Sequence, residues 1–137
     1  MKILVTTDGS EGSENAIRFA AKLASESNSS ITLLHVIPKV KTTKEDIITL
    51  LKEEIGSPEE AGKKYLEKGS KITEKRSIKT KTKLMDGNPL EEILKEVENY
   101  DLVVTGSHGL GAIDRFLLGS VSSELVHKSK TPVLVVR

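Results

Sequence analysis

The sequence predicts an α/β fold: an open five-stranded parallel sheet of order 3-2-1-4-5, with helices on both faces. Three observations point there. Short apolar runs alternate with longer amphipathic stretches along the whole chain, the pattern of repeated strand-helix units. The runs are brief, rich in β-branched residues and bounded by Gly, Asp, Pro or Ser, as strands buried on both faces are. Right-handed crossovers then allow a chain that winds outward and back, leaving a switch point beside the first strand.

The elements follow in order. Ile3 to Val5, Ile31 to Ile37, Leu102 to Val104 and Val133 to Val136 read as buried strands, and Ile78 to Met85, which alternates more, as an edge strand. Between the first two, Ala16, Ile17, Ala20, Leu23 and Ala24 fall at three- and four-residue spacing, so Ser13 to Ala24 is a helix with one apolar stripe. Ser57-Pro58-Glu59-Glu60 combines an N-cap, a proline at the first helical position and a following glutamate, and predicts a helix reaching toward Thr73. Asn88-Pro89-Leu90-Glu91 repeats the device. A last helix from Ser120 to Lys128 leads through Thr131-Pro132 into the final strand. Pro38 to Gly56 is expected to be a variable excursion, with Ile47 to Ile55 as a possible short helix.

Composition removes several function classes. The 137 residues suit one domain, taken as 1–137. No apolar run approaches the roughly 18 residues a membrane-spanning helix needs. Lys2 leads straight into an apolar strand with no cleavable signal pattern, so a cytoplasmic protein without membrane association is expected. Cysteine is absent, which excludes disulfides, thiolate catalysis and cysteine-ligated zinc. With 21 basic and 20 acidic residues there is no global field for nucleic acid. The local cluster Lys71, Lys75, Arg76, Lys79, Lys81 and Lys83 lacks interleaved aromatics and reads as a solvated face. Nucleic-acid binding is not expected.

The chemistry gathers where the order reverses, because ligands of such sheets bind outside the carboxyl ends of the strands. The loops opened by Thr7 and ending the fourth strand at Thr105 meet there. The second continues as Gly106-Ser107-His108-Gly109, nine further residues, then Gly119-Ser120-Val121-Ser122. Glycines admit a polyphosphate to the backbone, and a helix amino terminus offers N–H groups and a positive dipole end. Ser120 and Ser122 add hydroxyl donors. The competing reading is a sharp glycine turn followed by an ordinary helix start. Neither a Gly-Lys-Ser/Thr loop nor the dinucleotide Gly pattern is present, since Asp114 stands where the latter requires glycine.

Gly106-x2-Gly109-x9-Gly119-Ser120 resembles the ATP-binding motif of the universal stress protein family, with every fixed position occupied. The similarity extends to Lys2 through Ser10, to Leu33-Leu34-His35-Val36 and to Thr131 through Val136. It implies a Rossmann-like sheet, ATP as ligand with Mg²⁺ carried by the nucleotide, and a homodimer through Val133 to Val136. Asp8 matches the acidic residue at the ribose or metal region, and Val36 the position whose backbone reads adenine. Gly106, His108, Gly109, Gly119, Ser120 and Val121 match the phosphate cradle. Thr7, Thr105 and Ser122 complete the candidate set.

Some residues keep two readings. Asp8 is either a ligand group or a turn and cap residue of Asp-Gly-Ser. His108 contributes its ring or only its backbone, the latter being the expectation. His35, inside an apolar run, is expected as a hydrogen-bonded core or rim residue, and His127 to suit the carboxyl end of its helix. Phe19 and Phe116 are expected in the core, and Arg115 to point outward. No evident catalytic base or acidic pair is present, which favours a nucleotide-dependent switch over a slow ATPase or nucleotidyl-transferring enzyme. A dimeric scaffold that binds no nucleotide is the third reading.

Overall fold

The computed structural model describes residues 1–39, 56–109 and 118–137. Along the chain run β1 (Lys2–Thr6), α1 (Glu11–Ser27), β2 (Ser30–Pro38), α2 (Pro58–Glu74) and β3 (Thr80–Gly87). Then follow α3 (Pro89–Glu96) with a 3-10 turn at Val97–Asn99, β4 (Leu102–Gly106), α4 (Ser120–Lys128) and β5 (Val133–Val136). The expected helix near Ile47 to Ile55 and the placements of Arg115 and Phe116 lie outside the described residues.

The five strands form one parallel sheet in the order β3-β2-β1-β4-β5. Alternation along the central strands sends Ile3, Val5 and Leu33 to one face, where Ala16, Ile17, Ala20 and Leu66 of α1 and α2 meet them. Leu4, Leu34 and Val103 face the other way, onto Ile93, Val97 and Leu125. Each such side chain removed from water contributes about 1.5–3 kcal/mol.

Helix starts follow the local chemistry. The Ser10 hydroxyl accepts from the Ser13 amide at 3.1 Å and starts α1, two residues ahead of the expected start at Ser13. Ser57 and Asn88 cap α2 and α3 in the same way, each with proline at the start of the helix. Asn28, left-handed at φ 52°, ends α1. The cations from Lys71 to Lys83 named above are all exposed, as a solvated face requires. Of these, Lys83 sits 2.8 Å from Glu96, whose carboxylate raises the ammonium above its ordinary range.

Phe19 departs from expectation: it is 46% exposed. The buried stripe of α1 runs through Ser13, Ala16, Ile17, Ala20, Ala21 and Ala24. At 3.6 residues per turn, Phe19 falls outside that stripe. Glu14 reaches Lys68 of α2 at 2.6 Å on one flank of the helix, and Phe19 lies on the opposite flank. Small alanines let α1 sit close to the sheet, and the large ring is left at its side.

Candidate functional site

The site begins where β1 ends between β2 and β4. The Thr7 amide still donates to the Leu34 carbonyl at 2.9 Å, and then the ladder stops. The chain turns at Gly9, whose φ of 81° is a conformation that side-chain-bearing residues rarely adopt. Asp8 Oδ1 accepts from the Ser10 amide at 2.9 Å, which fixes the turn and leaves Ser10 to cap α1. The turn reading of Asp8 thus has a structural basis, and its Oδ2 lies against the next loop.

That loop follows β4. A β-carbon built on Gly109 would run into Asp8 Oδ2. One built on Gly106 would come within 2.7 Å of the Gly12 backbone, and one on Gly12 within 2.5 Å of the His108 carbonyl oxygen. The first turn of α1 and the loop after β4 therefore cross backbone against backbone. The Gly119 amide closes the arrangement by donating to the Ser107 carbonyl at 2.7 Å. Gly119 caps α4 with no side-chain hydrogen bond, so the first-turn amides and the positive end of the helix dipole face this junction.

The candidate residues divide into two groups. Asp8, Gly106, His108, Gly109 and Gly119 converge at the junction, with Ser120 and Val121 opening α4 beside it. The hydroxyls of Thr7, Thr105 and Ser122 are turned inward instead. Thr7 Oγ1 pairs with Ser13 Oγ at 3.1 Å, and Thr105 Oγ1 accepts from Thr6 Oγ1 at 2.9 Å. The Ser122 hydroxyl, expected as a ligand donor, donates to the Ser107 and Gly119 carbonyls at 3.2 and 3.1 Å. Burial explains the difference, since a hydroxyl withdrawn from water pairs with whatever protein group lies in reach, a neighbouring hydroxyl for Thr7 and Thr105 and main-chain carbonyls for Ser122.

Val36 has a specific placement. Main-chain groups of alternate residues in β2 point to opposite neighbours; the Leu34 carbonyl serves β1, and the Ile31 amide serves β3. Val36 shares the parity of Leu34, yet β1 has already ended, so its N–H and carbonyl are directed to the side β1 has vacated. Its side chain is buried against the α3 and α4 face. His108 Nδ1 lies 2.9 Å from Ser107 Oγ, and its Nε2 is buried with no hydrogen-bond partner among the described residues. His35 is buried and donates from Nδ1 to the Thr7 carbonyl at 2.7 Å, as a core histidine was expected to. His127 lies in the last turn of α4.

Sequence reasoning missed Gly12, Ser107 and Tyr65. Gly12 follows the cap Ser10 inside the first turn of a helix, where glycine costs stability and so signals a close contact. Tyr65 carries no local signal. Among the described residues no group of three His, Asp or Glu side chains is placed to hold a metal ion. No helix among them is long and apolar enough to cross a membrane.

A parallel α/β sheet of order β3-β2-β1-β4-β5 with glycine loops converging at its switch point defines a domain of the doubly wound class. The chain belongs to the universal stress protein family, whose model matches residues 1–137. Universal stress protein MJ0577 of Methanocaldococcus jannaschii is 34% identical, over 99% of this chain and 94% of its own length. The solved structure of that protein superposes with a TM-score of 0.78 at 37% identity, covering 98% of this chain and 94% of the other. Universal stress protein MJ0531 of the same organism is 33% identical over 99% of this chain and 81% of its own length. A universal stress protein solved in complex with cAMP superposes at a TM-score of 0.73 with 26% identity, covering 100% and 97% of the two chains.

Proposed function

We propose that the chain binds ATP, with Mg²⁺ carried by the nucleotide, at the junction of the Asp8 turn, the Gly106–Gly109 loop and the start of α4. It acts there as a nucleotide-dependent switch in a stress response in the cytoplasm. The observation that carries this reading is the contact between Gly109 and Asp8 Oδ2, which sets an acidic group beside amide-rich backbone. Amides of Gly109, Ser120 and Val121 would hold phosphate oxygens with the help of the α4 dipole. Asp8 would face the ribose or the metal. The Val36 main chain, directed to the side that β1 has left, would read adenine.

Two features of the chain and one of a relative fit such a ligand. His108 Nε2 is a buried polar atom with no partner among the described residues, and such atoms are rare unless a ligand or water completes them. The glycines let the Asp8 turn, the first turn of α1 and the loop after β4 meet with their backbones close together. The cAMP-bound relative supports an adenine nucleotide as the ligand class. Bound nucleotide would contact both the β1 and β4 loops, so its differential affinity for their joined arrangement is what drives a switch.

We also propose a homodimer through β5. Among the described residues this strand is an edge that pairs only with β4, and it is half-buried at all four apolar residues Val133 to Val136. An open apolar edge invites pairing with a second copy. Exposed Phe19, on the flank of α1 away from α2, would add apolar area on that side.

The test is calorimetric titration of nucleotide-free protein with Mg-ATP, beside a Gly109→Val, Gly119→Val double variant whose fold is checked by circular dichroism. Saturable binding by the parent and none by the folded variant is expected. A parent that takes up no nucleotide leaves the scaffold reading in its place.

A further inference from the structure

Asp8 stands between two residues that are each held from outside the loop. On one side, the Thr7 carbonyl takes a 2.7 Å hydrogen bond from His35 Nδ1. A carbonyl only accepts, so His35 must carry its proton on Nδ1. On the other side, Gly9 lies directly on the ring of Tyr65: a β-carbon at Gly9 would fall 2.6 Å from both Cδ1 and Cζ. The two holding residues also touch each other. Their rings meet edge to face, with centroids 5.2 Å apart and planes at 81°.

Close packing of α2 makes this possible. Tyr65 stands on α2, and one turn earlier Gly62 lets the helix approach β2 until a β-carbon there would be 2.7 Å from His35 Cδ2 and 2.8 Å from Leu84 Cδ1. His35 is itself buried. The line from α2 through Tyr65 and His35 to the Asp8 turn is therefore continuous contact, with a hydrogen bond at one end and a ring face at the other.

We propose that His35 and Tyr65 are positioning residues that fix the Asp8 carboxylate from both sides, and that α2 sets the nucleotide affinity of the site through them. The second half rests on the reading of Asp8 as a nucleotide-facing residue; the first does not. Neither side chain needs to touch the ligand. Tyr65 acts through its ring, so phenylalanine at that position retains the effect.

The experiment measures amide exchange with water at Gly9 and Ser10 by NMR in the parent, Tyr65→Phe, Tyr65→Leu and Tyr65→Ala. Mg-ATP affinity is measured alongside. Tyr65→Ala should speed exchange at these two amides by about tenfold, the upper range for loss of an edge-to-face aromatic contact, and weaken nucleotide binding by a similar factor. Tyr65→Phe should restore both. Tyr65→Leu, which keeps apolar bulk for α2, should behave like alanine at the turn even if the alanine variant does not fold. The amides of Leu4 and Val5 should be unchanged throughout, and the His35 nitrogen spectrum should show a proton on Nδ1. Unaltered exchange at Gly9 and Ser10 in the folded leucine or alanine variant overturns the positioning role, whether or not the parent binds ATP. Faster exchange with unaltered affinity overturns the link to the nucleotide. A parent that binds no ATP overturns that link and the functional reading together, while the exchange data still decide the positioning role.

Discussion

Gly109 has no room for a side chain, because the Asp8 carboxylate occupies the place where its β-carbon would project. The contact joins the loop after β1 to the loop after β4 across the switch point. Replacing Gly109 with alanine should push the two loops apart while leaving the sheet intact. We expect Mg-ATP affinity to fall by about tenfold or more, equivalent to roughly 1.4 kcal/mol, with an unchanged far-ultraviolet spectrum. Titration calorimetry reads the effect, and equal affinity would detach this contact from the site.

Gly12 offers a case where two principles give opposite signs. Alanine is favoured over glycine within a helix by about 1 kcal/mol, so propensity alone makes Gly12→Ala stabilising. The new methyl, however, would stand 2.5 Å from the His108 carbonyl oxygen, a main-chain atom that cannot rotate away. Overpacking of that kind costs about 1–3 kcal/mol. Gly12→Ala should therefore destabilise the fold in urea titration; a gain in stability would mean that α1 and the His108 loop separate freely.

Thr6 and Thr105 share a buried hydroxyl pair at 2.9 Å. Thr6→Val alone should cost about 1–3 kcal/mol, since it strands the Thr105 hydroxyl, whereas the Thr6→Val, Thr105→Val double variant should recover most of the loss. The double variant should also bind Mg-ATP like the parent if Thr105 serves the sheet rather than the ligand. Loss of binding at preserved stability would return Thr105 to the ligand set.

Val135 pairs with Thr105 on one side and lies on an edge strand. Lysine is a common guard of such edges. Val135→Lys should leave the monomer folded and convert a dimeric parent to monomer in sedimentation analysis. A variant that sediments as the parent does would place the self-association surface elsewhere.

The fold was legible because each element carried local signals that agreed. Ser57-Pro58, Asn88-Pro89 and the alanine stripe of α1 mark helices, and the valine-rich runs mark strands, independently of tertiary contact. The glycines of the candidate site were legible through their spacing. Side-chain direction was not. Thr7, Thr105 and Ser122 lie at the right positions along the chain, but whether a hydroxyl faces the ligand or the interior depends on neighbours distant in sequence, such as Thr6 for Thr105 and Ser107 for Ser122. Phe19 lies exposed rather than in the core for a similar reason. A position beside an apolar stripe faces either the core or a flank, and the close fit of Ala16 and Ala20 to the sheet decides it. Tyr65 is silent in sequence because its role lies in touching Gly9, some distance away along the chain.

Nucleotide binding at the glycine junction is tested most directly by mapping Mg-ATP onto the folded chain through amide chemical shifts. Saturable shifts clustered at Thr7 to Gly9, Gly106 to Gly109 and Gly119 to Ser122 are expected. A polar cleft of about 300 Å³ at the opposite end of the sheet, lined in part by Ser25, Asn28, Arg76 and Lys79, serves as the internal control. Shifts confined to that cleft, with the glycine loops unmoved, would put nucleotide binding elsewhere than the glycine junction.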